Sequence, residues 1–367
     1  MSSKSTLVTS LVIVVVVFAG IGAALFIANP YEPSRVAVVA MEPGFGDLSM
    51  ADQVQEGLDN LSLDVSVTYV GFDTTPADAD QLLTELAQSG EYVLILAVGN
   101  KFETSVESVA TQYPDQHFAL INGDVDLANV VSVDFLVEQG SYLAGVLAAF
   151  LASERLGYGI VGVLAAVDDD KKITALVDGF RLGVLEANET YDLNITLLDT
   201  EYVGYYDNDD VAGNMTVDLF EDDNVTVLFT PVRASMHGIR TGLEAVNDTF
   251  YERVEDEIED EVRRPYVIAA EYNLDYFGTA DPQQPVDPSW VVTSVVVHSD
   301  WATYDILYET LWNRFPGGEH NIYGLADGWV NLTRFRYSST YISDESMQAV
   351  KEYREYIIAN NSFPEFL

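Results

Sequence analysis

The chain has no cysteine in its 367 residues. That single absence removes disulfides, thiolate zinc sites, cysteine nucleophiles and a lipid-modified N-terminal cysteine. Basic residues are also scarce, with 17 lysines and arginines against 59 aspartates and glutamates, a formal net charge of -42. So acidic a surface repels phosphate backbones and argues against nucleic acid as a partner. It also repels itself, which weakens the compact state in dilute buffer. In molar salt the Debye length falls to about 3 Å and the repulsion is largely screened. Only five of the cations are lysines (Lys4, Lys101, Lys171, Lys172 and Lys351). A folded, acid-rich, lysine-poor chain reads as one adapted to a very salty medium. The four histidines, His117, His237, His298 and His320, are scattered without metal-ligand spacing, so no metal or other cofactor is expected. No P-loop, G-x-S-x-G elbow or H-E-x-x-H is found. The turn GFGDLS (44–49) has Ser49 where a dinucleotide-binding loop needs its third glycine, and the second strand ends without the acid such a site uses. No catalytic constellation emerges, and a binding protein is expected in place of an enzyme.

What is present begins with a run of 22 uncharged residues, Leu7 to Ala28 (LVTSLVIVVVVFAGIGAALFIA). About 20 apolar residues span a bilayer, and no small-x-small cleavage pattern precedes Asn29 and Pro30. With Lys4 on its N-terminal flank and the acidic bulk after Glu32, the segment is expected to be a single-pass signal anchor. Residues 1–6 would then be cytoplasmic and the rest extracellular. Eight N-x-S/T sequons, at Asn60, Asn188, Asn194, Asn214, Asn224, Asn247, Asn331 and Asn360, fit a glycosylated cell-surface domain.

From Arg35 onward, short Val/Ile/Leu runs alternate with amphipathic stretches, the signature of βαβ units and of strands buried on both faces of a parallel sheet. The first block holds RVAVVAM (35–41), DVSVTYVG (64–71), YVLILAVG (92–99), HFALING (117–123) and NVVSVDF (129–135). A second repeats it with YGIVGVLAA (158–166), NITLLDTEYVG (194–204), VTVLFTP (225–231), YVIAAE (266–271) and WVVTSVVV (290–297). The acidic stretch YERVEDEIEDEVRR (251–264) interrupts the second block as an exposed helical insertion. The fold class is therefore α/β, as two Rossmann-like lobes without a Pro- or Ser-rich linker. Ligands in such sheets bind beyond the carboxyl ends of the strands, so the cleft between the lobes is the expected site.

Four stretches carry a family resemblance: GFGDLSMADQVQEGL (44–58), YPDQHFALINGD…NVVSVDFLVEQGSYLAGVLAA (113–149), VDGFRLGV (177–184) and VVTSVVVHSDWATYDILYETLWNRFPGGEHNIYGLADGWVNL (291–332). With these the chain resembles the basic membrane protein family, extracytoplasmic purine-nucleoside receptors of ABC transporters, from about Arg35 to Leu332. The resemblance implies a type I periplasmic-binding-protein fold. It implies one lobe of residues 31–133 plus 298–320 and another of 134–297 plus 321–367, beyond an anchor of residues 1–30. It also implies a nucleoside-like ligand and an ABC permease as partner; a surface sensor of the same fold is the alternative.

Position by position, Asp47 and Ser49 align with the family's loop Asp and Ser, and Met50 replaces its stacking aromatic. Met41, with Glu42 beside it, replaces a base-recognising Asp, and Asn122 replaces the Asp that ends a first-lobe strand. Glu271 aligns with the ribose-binding acid, Asn273 with a second acid, and Tyr206 with an aromatic near the ligand. Arg233 enters in place of a glycine-rich loop and makes an anionic or carboxylate-bearing ligand conceivable. The residues alone leave plainer roles open: helix capping for Asp47 and Ser49, core packing for Met50.

Overall fold

The computed structural model describes residues 33–41, 43–154, 159–254, 265–286 and 288–364. The apolar segment 7–28, Glu42, the side chain of Asn247 and residues 255–264 of the acidic stretch lie outside that set. Among the described residues no helix is long and apolar enough to cross a membrane.

The first five strands and three helices alternate: β1 (Ser34–Met41), α1 (Met50–Asp64), β2 (Val67–Thr74), α2 (Ala79–Ser89), β3 (Leu94–Val98), α3 (Glu103–Gln112), β4 (Phe118–Ile121) and β5 (Val130–Phe135). Helix α4 (Val137–Ser153) then opens a second series: β6 (Gly159–Ala165), α5 (Lys171–Tyr191), β7 (Ile195–Tyr202), α6 (Asp209–Glu221), β8 (Val227–Thr230), α7 (Met236–Val254), β9 (Tyr266–Glu271) and β10 (Val291–Val297). The chain ends with α8 (Ser299–Leu311), β11 (His320–Tyr323), β12 (Val330–Leu332) and α9 (Asp344–Asn360).

These strands make two six-stranded sheets, ordered β11-β5-β4-β3-β1-β2 and β12-β10-β9-β8-β6-β7. The first sheet is parallel throughout, and β12 alone runs against its neighbour, β10. The central strands carry the continuous apolar runs and are buried end to end, as in LILAV of β3 and VVTSVVV of β10. Edge strands β2 and β7 are half exposed and hold the polar residues. The chain passes between the sheets three times: from β5 into α4, from β10 into α8, and through residues 324–329 between β11 and β12. The short stretch 320–332 therefore serves both sheets.

Helix α4 is buried along nearly its whole length because it lies between the lobe-two sheet and α5. The approach is backbone to backbone. A Cβ on Gly145 would stand 2.0 Å from the Phe180 carbonyl oxygen, and one on Gly183 would stand 2.0 Å from that of Tyr142. Helices this close leave no room for any side chain at those two positions, which is why small residues crowd both sequences.

Candidate ligand-binding cleft

The carboxyl ends of both sheets face one another, and polar side chains from each meet there. In the first lobe the loop after β1 is folded back by Asp52 in the first turn of α1. Its carboxylate accepts from the backbone of Gly46 at 2.6 Å and of Leu48 at 2.9 Å. Leu48 is held at φ 57°, and this places Asp47 inward. The Ser49 hydroxyl lies 2.6 and 2.7 Å from the two Asp47 carboxylate oxygens, and its N–H donates to the same group at 3.0 Å. Ser49 precedes α1 but its side chain caps no helical N–H. The capping role that composition allowed is thus not the one adopted. Burial pushes the Asp47 carboxyl up to about 6, against the opposing pull of Arg233 and the Ser49 hydroxyl. Met50, the first residue of α1, is buried in the core and also reaches the cavity wall.

Asn122 follows β4 at φ 67°, buried to 2 % exposure. Its side-chain oxygen lies in the cavity wall with no hydrogen-bond partner. A buried acceptor left unpaired costs about 1–3 kcal/mol, and a ligand N–H or O–H would recover it.

The second lobe contributes an ion cluster. Arg233, at φ 55° after β8, donates from Nε to Glu271 Oε2 at 2.8 Å and from a terminal nitrogen to Oε1 at 3.1 Å. Asp170 Oδ2 lies 3.7 Å from the same guanidinium, which sits 4.6 Å above the Tyr206 ring. Tyr206 donates its hydroxyl to Asp170 Oδ2 at 2.8 Å. Asp170 Oδ1 meanwhile caps α5 by accepting from the N–H groups of Lys172 and Ile173. Burial pushes the Asp170 carboxyl up, but Arg233, the Tyr206 hydroxyl and the helix N–H groups outweigh it and hold the group below the ordinary carboxylate range. Burial raises the Tyr206 phenol. Glu271 itself is 1 % exposed. Two nitrogens of the Arg233 fork, Nε and one terminal nitrogen, are thus engaged by carboxylates.

The lobes touch through specific groups. Lys101 Nζ donates to the Tyr206 hydroxyl at 3.3 Å, and Gln53 Nε2 donates to the Glu271 carbonyl at 2.9 Å. Gln53 Oε1 in turn accepts from Ser299 N–H and hydroxyl at 3.3 and 3.1 Å. Between the lobes, the space bounded by Asp47, Ser49, Lys101, Asn122, Asp170 and Arg233 is about 40 Å³. That volume suits one or two waters; a larger solute enters only when the lobes part.

Seven of the expected residues fall at this junction: Asp47, Ser49, Met50, Asn122, Tyr206, Arg233 and Glu271. Asn273 does not. It is exposed, its side-chain oxygen accepts from Asp275 N–H at 3.3 Å, and it faces a separate hollow on the hinge side. Asp170, Lys101 and Gln53 belong to the junction without having been expected there. The triple Asp 168–170 before an amphipathic helix signals a cap, but nothing local shows that its other oxygen meets Tyr206. Among the described residues no group of three or more His, Asp or Glu could hold a metal ion.

The model of the family described as "Bmp: ABC transporter substrate-binding protein PnrA-like" matches residues 34–364. The chain belongs to the Bmp family. A curated relative, the CD4+ T-cell-stimulating antigen of Listeria innocua, is 25% identical over 88% of this chain and 85% of its own length. The ABC transporter nucleoside-binding protein BmpA of Lactococcus lactis is 23% identical, over 81% of each chain. An uncharacterized lipoprotein of Pyrococcus abyssi is 26% identical over 95% of this chain and 84% of its own. Among solved structures, an ABC transporter solute-binding protein from Aeropyrum pernix superposes with TM-score 0.77 at 21% identity, covering 91% of this Bmp-family chain and 94% of the other. A glucose-galactose binding protein of Geobacillus stearothermophilus gives 0.54 at 13% identity, over 83% and 98%. These structures support the two-lobed periplasmic-binding-protein fold.

Proposed function

We propose that this Bmp-family protein captures a neutral, nucleoside-like solute outside the cell and presents it to an ABC permease. The observation carrying the reading is the buried polar junction, in which hydrogen-bonding groups from both lobes converge on one small space. Asn122 offers an unpaired acceptor and Asp47 a carboxyl that is partly protonated near neutral pH, from the first lobe. The Glu271–Arg233–Asp170 cluster offers a rigid carboxylate wall from the second. Such groups suit the ring and hydroxyl donors of a nucleoside better than an alkyl or anionic solute, because a wrong guest leaves buried polar atoms unpaired. Capture is a hinge motion about the three interlobe passages. The moving bodies are residues 33–135 with 299–323 and residues 137–297 with 330–364. Opening breaks the Lys101–Tyr206 and Gln53–Glu271 contacts, and the solute replaces them on closure.

The apolar segment 7–28 is the tether in this reading. Relatives include proteins named as lipoproteins, but this chain has no cysteine to carry a lipid, so a hydrophobic anchor substitutes. On an extracellular domain, glycans are expected at the exposed sequons Asn60, Asn194, Asn214, Asn224 and Asn360. They are not expected at Asn188, whose side-chain oxygen accepts from Ile195 N–H, nor at Asn331 within β12. Mass spectrometry of the protein from its native membrane separates the two sets.

A thermal-shift screen in molar KCl over nucleosides, nucleobases, sugars and amino acids tests the solute class. A rise in melting temperature with nucleosides, abolished in Asn122→Ala, is the expected result. Stabilisation by sugars or amino acids alone would refute the assignment.

A further inference from the structure

We propose that a second site, on the hinge side of the molecule, binds a planar aromatic molecule bearing an anionic group. A hollow of about 720 Å³ lies there, within the range of roughly 300–1,000 Å³ that holds drug-sized ligands. It is distinct from the space around Asp47 and Asn122: the two share no lining residue. Its walls come from both lobes, with Trp301 from the first and Tyr272, Tyr276, Arg334, Arg336 and Tyr337 from the second.

The charge bookkeeping of this hollow points to its ligand. Among the described residues, seven lysines and arginines have a carboxylate within 4.0 Å, as an excess of 59 acids would lead one to expect. Arg334 and Arg336 are exposed and have no carboxylate within 4.0 Å among the described residues, although three acids share the hollow. Each of those acids is already engaged. Glu56 accepts the Tyr272 hydroxyl, Asp300 lies 3.2 Å from His298, and Asp275 accepts Ser294 and Thr333 hydroxyls at 2.8 Å each. The groups left available are two guanidinium forks, which match carboxylate or phosphate oxygens. Beside them stand flat surfaces for a ring. Trp301 is 45% exposed, stacks on His298 with centroids 3.7 Å apart and planes within 5°, and meets Trp329 in a T-shaped contact at 6.1 Å. The Arg336 guanidinium lies 5.2 Å from the Tyr337 ring centroid. Aromatic stacking beside an anion-binding fork is the chemistry of a nucleoside monophosphate or an aromatic carboxylate. An occupant touching both lobes favours the closed form, and it is linked to the solute cleft with equal strength in both directions.

The experiment is isothermal titration of the full chain in molar KCl with adenosine monophosphate, adenosine, inorganic phosphate and indole-3-acetate. Adenosine monophosphate or indole-3-acetate should bind at least tenfold tighter than inorganic phosphate. The double substitution Arg334→Ala with Arg336→Ala should weaken that binding at least tenfold. The same variant should keep the thermal shift given by nucleosides, which separates this site from the cleft. Monophosphate preference identifies a phosphate ligand and indole-3-acetate preference a carboxylate. If neither binds, or if the double variant retains full affinity, the second site is refuted whatever the cleft holds.

Discussion

Arg233 and Glu271 illustrate why single residues here should be changed in pairs. Each is the other's main partner in a buried place, so removing one leaves an uncompensated charge. Arg233→Ala is expected to cost about 3–5 kcal/mol, while Arg233→Met with Glu271→Leu together costs far less. Denaturant unfolding in molar KCl measures both. Asp47 gives a pH signature of the opposite kind. Its folded-state value of about 6 lies above the ordinary 3.8, so the native state prefers the protonated form. The stability this contributes is complete below about pH 4 and is lost as pH rises through 6. Asp47→Asn removes that loss and should stabilise the protein by about 2–3 kcal/mol at pH 7.5, with little change at pH 4. Melting temperatures at the two pH values decide it; equal gains at both would show that packing, not charge, is responsible. Position by position, much of this junction was legible in the sequence, since Asp47, Asn122 and Glu271, singled out by the resemblance, and Arg233, singled out as its departure, converge in the structure. Asp170 and Lys101 were not. Their roles depend on Tyr206 arriving from beyond β7, a contact 36 residues away for one and 105 for the other.

At the scale of elements, the apolar runs translated directly into strands because burial on both faces leaves a run with no period to misread. The boundaries of the sheets were less legible. β11 and β12 sit within one short stretch yet join different sheets, and only the closed interlobe geometry separates them. The pairing of α4 with α5 is the most demanding packing in the second lobe. With a carbonyl oxygen 2.0 Å from the site of any added Cβ at Gly145 or Gly183, even a methyl group must push the helices apart. Overpacking commonly costs 1–3 kcal/mol, and rigid backbone on both sides places Gly183→Ala at about 3 kcal/mol or more. Gly204→Ala is the control, having no atom within 4 Å of the added carbon but a φ of +85°; strain there is expected at about 1–2 kcal/mol. Urea midpoints for the two variants should rank in that order.

The whole molecule poses a different balance, between an ordinary core and an extraordinary surface. The interior is built of Val, Leu, Ile, Ala and Phe like that of any two-lobed α/β protein, and its burial gains little from salt at moderate concentration. The net charge of -42 acts against that core across the entire surface. Apart from the buried Arg233 cluster and Lys172–Asp134, its paired cations are largely solvent-exposed, as in Arg314–Glu309 and Lys351–Glu355, and these exposed pairs contribute only about 0–1 kcal/mol each. Local pairing therefore cannot offset a repulsion that is long-ranged, whereas shortening the Debye length from about 10 Å at 0.1 M to 3 Å at 1 M can. The full chain should accordingly unfold, or lose its cooperative transition, in dilute buffer and regain it in molar KCl. The recovery should follow ionic strength for KCl and NaCl alike. Replacing a group of acids away from both sites, the exposed Asp222 and Asp223 and the half-buried Glu221, by lysine should lower the salt needed for folding without changing the melting temperature in molar KCl by more than about 2 °C. Circular dichroism melts across a salt series measure this. A variant that needs as much salt as the parent would mean that salt acts through burial of apolar surface and not through the charge.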